Sequence, residues 1–220
     1  MSPQTIAKYI DHTLLKPDAT STQIENLCQE AIHFGVMAVC VNPSNVALAA
    51  QYLQGTQVKL CSVIGFPLGA TLAAVKGFEA TQVLKQGAAE IDMVLNIGAI
   101  KSGDTALARA DIAQVVQIAH QHQALCKVII EAALLTEAEK ITTCHLVQDA
   151  GADFVKTSTG FQGGATAEDV ALIKRTVGPT MGIKAAGGIK TWSQAQAMIT
   201  AGATRLGTSS GIEIIKQARG

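Results

Sequence analysis

Three ionisable residues of this 220-residue chain stand inside otherwise apolar runs: Asp92 in Ile91-Asp92-Met93-Val94-Leu95, Lys156 in Phe154-Val155-Lys156, and Lys184 in Gly182-Ile183-Lys184-Ala185-Ala186. A lysine buried in such a run is a candidate nucleophile. Burial favours the neutral amine, which is the form that attacks a carbonyl carbon, and a second ammonium close by favours it further. A carboxylate within reach, directly or through a water, can exchange protons with the adduct. Together the three residue types spell Schiff-base chemistry, and on their chemistry alone either lysine could be the nucleophile. A lone lysine at a strand end ordinarily snorkels to solvent, so the idea depends on a scaffold that brings the three together.

The scaffold is legible as a repeat. Short apolar runs at about 9–13, 38–41, 59–64, 91–95, 127–131, 154–156, 182–186 and 205–207 alternate with longer amphipathic stretches at about 22–34, 44–54, 71–86, 103–122, 136–149, 166–177, 191–201 and 212–219. Each pair reads as strand then helix. Thr136-Glu137-Ala138-Glu139 is a capping sequence, and the glycines of Gln86-Gly87-Ala88, Ala150-Gly151-Ala152 and Ala201-Gly202-Ala203 sit where helices end. Eight βα units predict an α/β fold, a (β/α)₈ TIM barrel, with residues 1–220 forming one catalytic domain. A doubly wound open sheet shares the alternation, but it would usually show a glycine-rich nucleotide turn after its first strand, and none is there.

In such a barrel the site forms at the carboxyl ends of the strands. Adjacent strands lie about 4.8 Å apart and only one parity of side chains faces inward, so Lys156 and Lys184 meet if both point into the barrel. Beyond the seventh and eighth strands stand Ala185-Ala186-Gly187-Gly188-Ile189 and Gly207-Thr208-Ser209-Ser210-Gly211. Backbone N–H groups at Gly187 and Gly188, the hydroxyls of Ser209 and Ser210, and the helix that follows form a candidate phosphate site.

Composition narrows the partner. Seventeen basic and seventeen acidic side chains give a formal net charge of zero, with 48% hydrophobic residues. Neither a nucleic acid nor an anionic surface is the expected partner, and no apolar run approaches a membrane span. A small molecule is expected. Five cysteines, odd in number and set in apolar runs, read as reduced thiols of a cytoplasmic protein. The five histidines are scattered, so no metal site is expected. Arg205 and Glu90 are expected to pair near the base of the barrel. Asp11 is read as the end of the first strand, with a cap or turn role or a contact to substrate hydroxyls, and Cys40 as facing the mouth.

The segments Glu90-Ile91-Asp92-Met93-Val94-Leu95-Asn96, Phe154-Val155-Lys156-Thr157-Ser158-Thr159-Gly160-Phe161, Gly182-Ile183-Lys184-Ala185-Ala186-Gly187-Gly188 and Gly207-Thr208-Ser209-Ser210 resemble the deoxyribose-phosphate aldolase family, over about residues 6–217. The resemblance implies reversible cleavage of 2-deoxy-D-ribose 5-phosphate to D-glyceraldehyde 3-phosphate and acetaldehyde, in deoxyribose phosphate catabolism. It implies Lys156 as the Schiff-base residue, Asp92 and Lys184 as proton donors and acceptors, phosphate on Gly187, Gly188, Ser209 and Ser210, and no metal or organic cofactor. The sequence leaves oligomeric state open and is compatible with a homo-oligomer. Some members carry a basic residue where this chain has Phe161, and some end in a tyrosine where this chain ends Arg219-Gly220. Both differences bear on how phosphate is held and on closure over the site; neither touches the catalytic set. A transaldolase-like enzyme would share the imine with a different donor. A phosphate-sugar binding module without activity would have no use for two buried lysines.

Overall fold

The structure, a computed structural model, describes residues 1–218; Arg219 and Gly220, including the last residue of the helix expected over 212–219, lie outside the described residues. Helix α1 (Pro3–Ala7) precedes strand β1 (Ile10–Leu14), and α2 (Ser21–Phe34) leads to β2 (Ala38–Val41). Then come α3 (Val46–Leu53), β3 (Lys59–Ile64), α4 (Ala73–Lys85) and β4 (Glu90–Val94). A short α5 (Ile97–Lys101) and a long α6 (Thr105–Gln121) connect to β5 (Leu125–Ile129), α7 (Glu137–Asp149) and β6 (Phe154–Lys156). The order ends with α8 (Ala167–Val177), β7 (Gly182–Ala186), α9 (Trp192–Ala201), β8 (Arg205–Thr208) and α10 (Gly211–Gln217).

All eight strands are parallel, each pairs with the next, and β8 pairs with β1 to close the barrel. The expected strands all form, with ends displaced by one or two residues. Two short helices were not expected. Helices α1 and α5 are five residues each, too short to show helical periodicity, and are set by caps: Ser2 accepts from Thr5 N–H before Pro3, and Asn96 accepts from Ala99 N–H. The expected start at Thr136 is a capping box with Glu139. Among the described residues no helix is long and apolar enough to cross a membrane.

Strand alternation splits the barrel wall into two chemistries. Ile91, Met93, Val128, Val155, Ile183, Ala185 and Leu206 belong to the hydrophobic core, with helix residues such as Ile112, Val147 and Ile173. At about 1.5–3 kcal/mol for each fully buried large aliphatic side chain, this layer carries the stability. The opposite parity supplies Asp11, Glu90, Asp92, Lys127, Lys156, Lys184 and Arg205, all buried. The ring of Phe154 lies under them, 5.9 Å from Lys127 Nζ and 5.8 Å from Arg205 Cζ. A side chain at Gly182 would collide with that ring, so glycine there makes room for the aromatic floor.

Candidate active site

Register places the two lysines side by side: Lys156 is the Cα partner of Lys184, Lys184 that of Arg205, and Asp92 that of Lys127. Asp92 reaches the lysines from across the barrel. Its Oδ2 accepts from Lys156 Nζ at 2.8 Å and from Lys184 Nζ at 2.6 Å. Its Oδ1 accepts from Lys127 Nζ at 2.9 Å and from the Cys61 thiol at 3.1 Å. One oxygen is therefore anchored, and the other is shared by the two lysines expected to do chemistry.

The pairing continues beneath. Lys184 also meets Asp11 Oδ2 at 2.5 Å, Arg205 bridges Asp11 and Glu90 at 2.6 Å each, and Lys127 meets Glu90 at 2.6 Å. Four basic and three acidic side chains share one buried interior, a formal surplus of one positive charge. Burial pushes the Asp92 carboxyl up, but Lys127, Lys156 and Lys184 together outweigh it and hold the group well below the usual carboxylate range. Asp11 is lowered too, burial being outweighed by Lys184 and Arg205. Burial disfavours the charged form of Lys184, yet Asp11 and Asp92 keep its ammonium above the ordinary lysine range. Lys127 is raised well above that range for the same reason, with Asp92 the largest of its favourable partners.

The hydroxyl segment after β6 is held from two sides. Thr157 Oγ1 accepts from Ala186 N–H at 3.1 Å. The buried carboxylate of Glu131 accepts from Thr159 N–H at 3.3 Å and from the Thr159 hydroxyl. Glu131 has φ 45°, a left-handed conformation costly for a non-glycine residue. A Cβ built on Gly187, where φ is 86°, would stand only 3.0 Å from the Cα of Gly160, inside ordinary van der Waals contact, so glycine lets these two loops touch.

A cavity of about 370 Å³ opens at the carboxyl ends of the strands, and Lys156, Gly187, Gly188 and Ser209 all line it. Lys156, 3% exposed, is the barrel lysine that reaches the cavity; Lys184 lies beneath it, wholly buried. Ser210 does not line the cavity: it is the N-cap residue of α10, with its N–H donating to Thr208 Oγ1 at 2.9 Å. Phe161 lines the mouth and packs edge-on against Phe66, centroids 5.4 Å apart.

Several placements differ from expectation. Asp11 is the second residue of β1, not its end, and is a buried partner of Lys184 and Arg205 with no cap or turn role. Cys40 is fully buried and does not line the cavity. Its thiol is held below the usual range chiefly by the neighbouring Cys61 side chain, against the opposing effect of burial. Arg205 and Glu90 pair as expected. Lys127, expected as the first residue of the fifth strand, stands in its middle, because the strand begins at Leu125; it is a further buried lysine of the site that the sequence reading does not single out. Cys40, Cys61 and Asp92 gather potential metal ligands within 4.8 Å of one another, but three ammonium groups already hold that carboxylate.

The DeoC/LacD family aldolase model matches residues 5–217. The chain is 60% identical to the deoxyribose-phosphate aldolase of Thermococcus gammatolerans, over 97% of this chain and 96% of that one. It is 58% identical to the deoxyribose-phosphate aldolase of a Geobacillus species, over 96% and 95% of the two chains. Among solved structures, the tetrameric deoxyribose phosphate aldolase of Aeropyrum pernix superposes with a TM-score of 0.93 at 35% identity, covering 99% of this chain and 92% of that one.

Proposed function

The chain belongs to the DeoC/LacD family of aldolases, and from that premise we propose that it cleaves 2-deoxy-D-ribose 5-phosphate reversibly to D-glyceraldehyde 3-phosphate and acetaldehyde through a Schiff base on Lys156. The observation that carries the proposal is the shared Asp92 oxygen, 2.8 Å from Lys156 and 2.6 Å from Lys184, with Lys156 the one of the two that lines the cavity.

Neutral Lys156 Nζ attacks C1 of the open-chain sugar, and loss of water gives an iminium. The iminium is the electron sink when the C2–C3 bond breaks, and the chemistry requires neither a metal ion nor an organic cofactor. Asp92, directly or through a water, takes the proton of the 3-hydroxyl as that bond breaks. Lys184, kept protonated by Asp11 and Asp92, supplies a proton toward C2 of the enamine and regains it from Asp92, which holds the proton of the 3-hydroxyl, across their 2.6 Å contact. At the enamine stage the nitrogen of Lys156 is neutral, one of the three cations holding Asp92 down is gone, and its basicity rises as it is needed. Water then releases acetaldehyde and restores the amine.

Phosphate is assigned to Gly187, Gly188 and Ser209 at the cavity, with Ser210 behind them. We read the whole chain as one catalytic domain of a cytoplasmic enzyme, supported by five free and buried thiols. A tetrameric relative supports homo-oligomeric assembly, which light scattering after gel filtration would measure. The activity is tested by offering 2-deoxy-D-ribose 5-phosphate and following release of both products; a folded protein that releases neither overturns the assignment.

A further inference from the structure

The cavity above Lys156 is lined by three lysines, Lys16, Lys156 and Lys190, and by no aspartate or glutamate, in a chain whose formal net charge is zero. Lys16 and Lys190 are exposed at its rim, and among the described residues neither takes part in an ion pair. Lys190 belongs to the same β7 loop as Gly187 and Gly188, and its N–H donates to Gln194 Oε1 at 2.8 Å at the start of α9. Lys16 comes from a different loop. It follows β1, opens a turn closed by the Ala19 N–H to Lys16 carbonyl bond at 3.2 Å, and precedes Pro17. Proline at the second position fixes such a turn, so a flexible cation is mounted on a rigid piece of rim.

We propose that Lys16 is a specificity-determining residue: its ammonium contacts the substrate's phosphate from the β1 loop and supplies ionic selectivity that the neutral N–H and hydroxyl donors of the Gly187, Gly188 and Ser209 loops do not. The proposal rests on the phosphorylated-sugar assignment above. A phosphate monoester carries about −1.5 to −2 charge at pH 7, and an open, unpaired cation is where that charge finds its first partner. A charge-assisted contact at a partly exposed rim changes binding by about two- to fivefold and is weakened by salt. The loop after β6 presents the uncharged, 57% exposed Phe161 at the same mouth.

The test measures kcat/KM for 2-deoxy-D-ribose 5-phosphate and for 2-deoxy-D-ribose across a sodium chloride series, in wild type, Lys16→Met and Lys16→Arg. The phosphorylated-to-unphosphorylated ratio should fall about two- to fivefold in Lys16→Met, recover in Lys16→Arg, and lose part of its salt dependence in the methionine variant. If wild type prefers the phosphorylated sugar and Lys16→Met leaves the ratio unchanged, or both sugars lose equally, the role of Lys16 is overturned while the substrate assignment stands. If wild type shows no preference for the phosphorylated sugar, the assignment itself fails and Lys16 with it.

Discussion

Replacing Asp92 by asparagine keeps the shape of the side chain and removes one charge from the centre of the barrel. Three ammonium groups contact that carboxylate at 2.6, 2.8 and 2.9 Å. At an effective dielectric near 20, two unit charges 4 Å apart interact by about 4 kcal/mol. The gross attraction is offset by desolvation of about several kcal/mol per ion, and removing one partner of a buried pair costs about 3–5 kcal/mol. Against a typical total of about 5–15 kcal/mol, Asp92→Asn should stay folded with a clearly lower urea midpoint. Turnover should fall about 10²–10⁴-fold, the usual contribution of a positioned proton-transfer group, while Lys156 still forms a reducible adduct. The acid limb of stability should change as well. The folded pKa of Asp92 lies below the unfolded value, about 3.9, so its contribution is present above that pH and is lost as pH falls through the folded value. The variant lacks this contribution, and its stability should fall less steeply as pH drops below about 4. A variant within about 1 kcal/mol of wild type with an unchanged acid limb and near-normal turnover would refute the electrostatic account of the barrel interior.

Lys127→Met removes the anchor on Asp92 Oδ1 and the partner of Glu90; a loss of about 3–5 kcal/mol of stability and a fall in kcat larger than any rise in KM are expected from denaturation and steady-state rates. Gly207→Ala would place a Cβ 3.0 Å from both Lys184 Cε and Ala186 Cβ, displacing Lys184 from Asp92. Turnover should drop more than tenfold, and normal kinetics would show that the lysine tolerates the shift. Ser209→Asp and Gly188→Asp each set a carboxylate at the cavity, so KM for the phosphorylated sugar should rise much more than KM for deoxyribose; equal changes in both would remove phosphate from these loops.

The fold was legible because parallel strands covered on both faces must be apolar, and their alternation with capped amphipathic helices recurs eight times. Asp92, Lys156 and Lys184 stood out because a charge in such a run demands a partner, and the structure joins the three through one oxygen. Lys127 carried the same signal, but a strand start misplaced by two residues turned a central lysine into a terminal one. Asp11 was misread for a related reason: its partners Lys184 and Arg205 lie more than 170 residues away in sequence, and no local pattern reports them. The left-handed Glu131 and its hold on Thr159 were invisible, since backbone strain at a non-glycine residue leaves no mark in composition or periodicity.

The central claim is that Lys156 is the nucleophile, and the direct measurement is reductive trapping. Incubation of the folded protein with acetaldehyde and borohydride, followed by peptide mapping, should find one ethyl group on Lys156, and Lys156→Ala should form no adduct in the barrel and show no turnover. An ethyl group on Lys184 with Lys156 unmodified, or trapping at the wild-type rate in Lys156→Ala, would contradict the account.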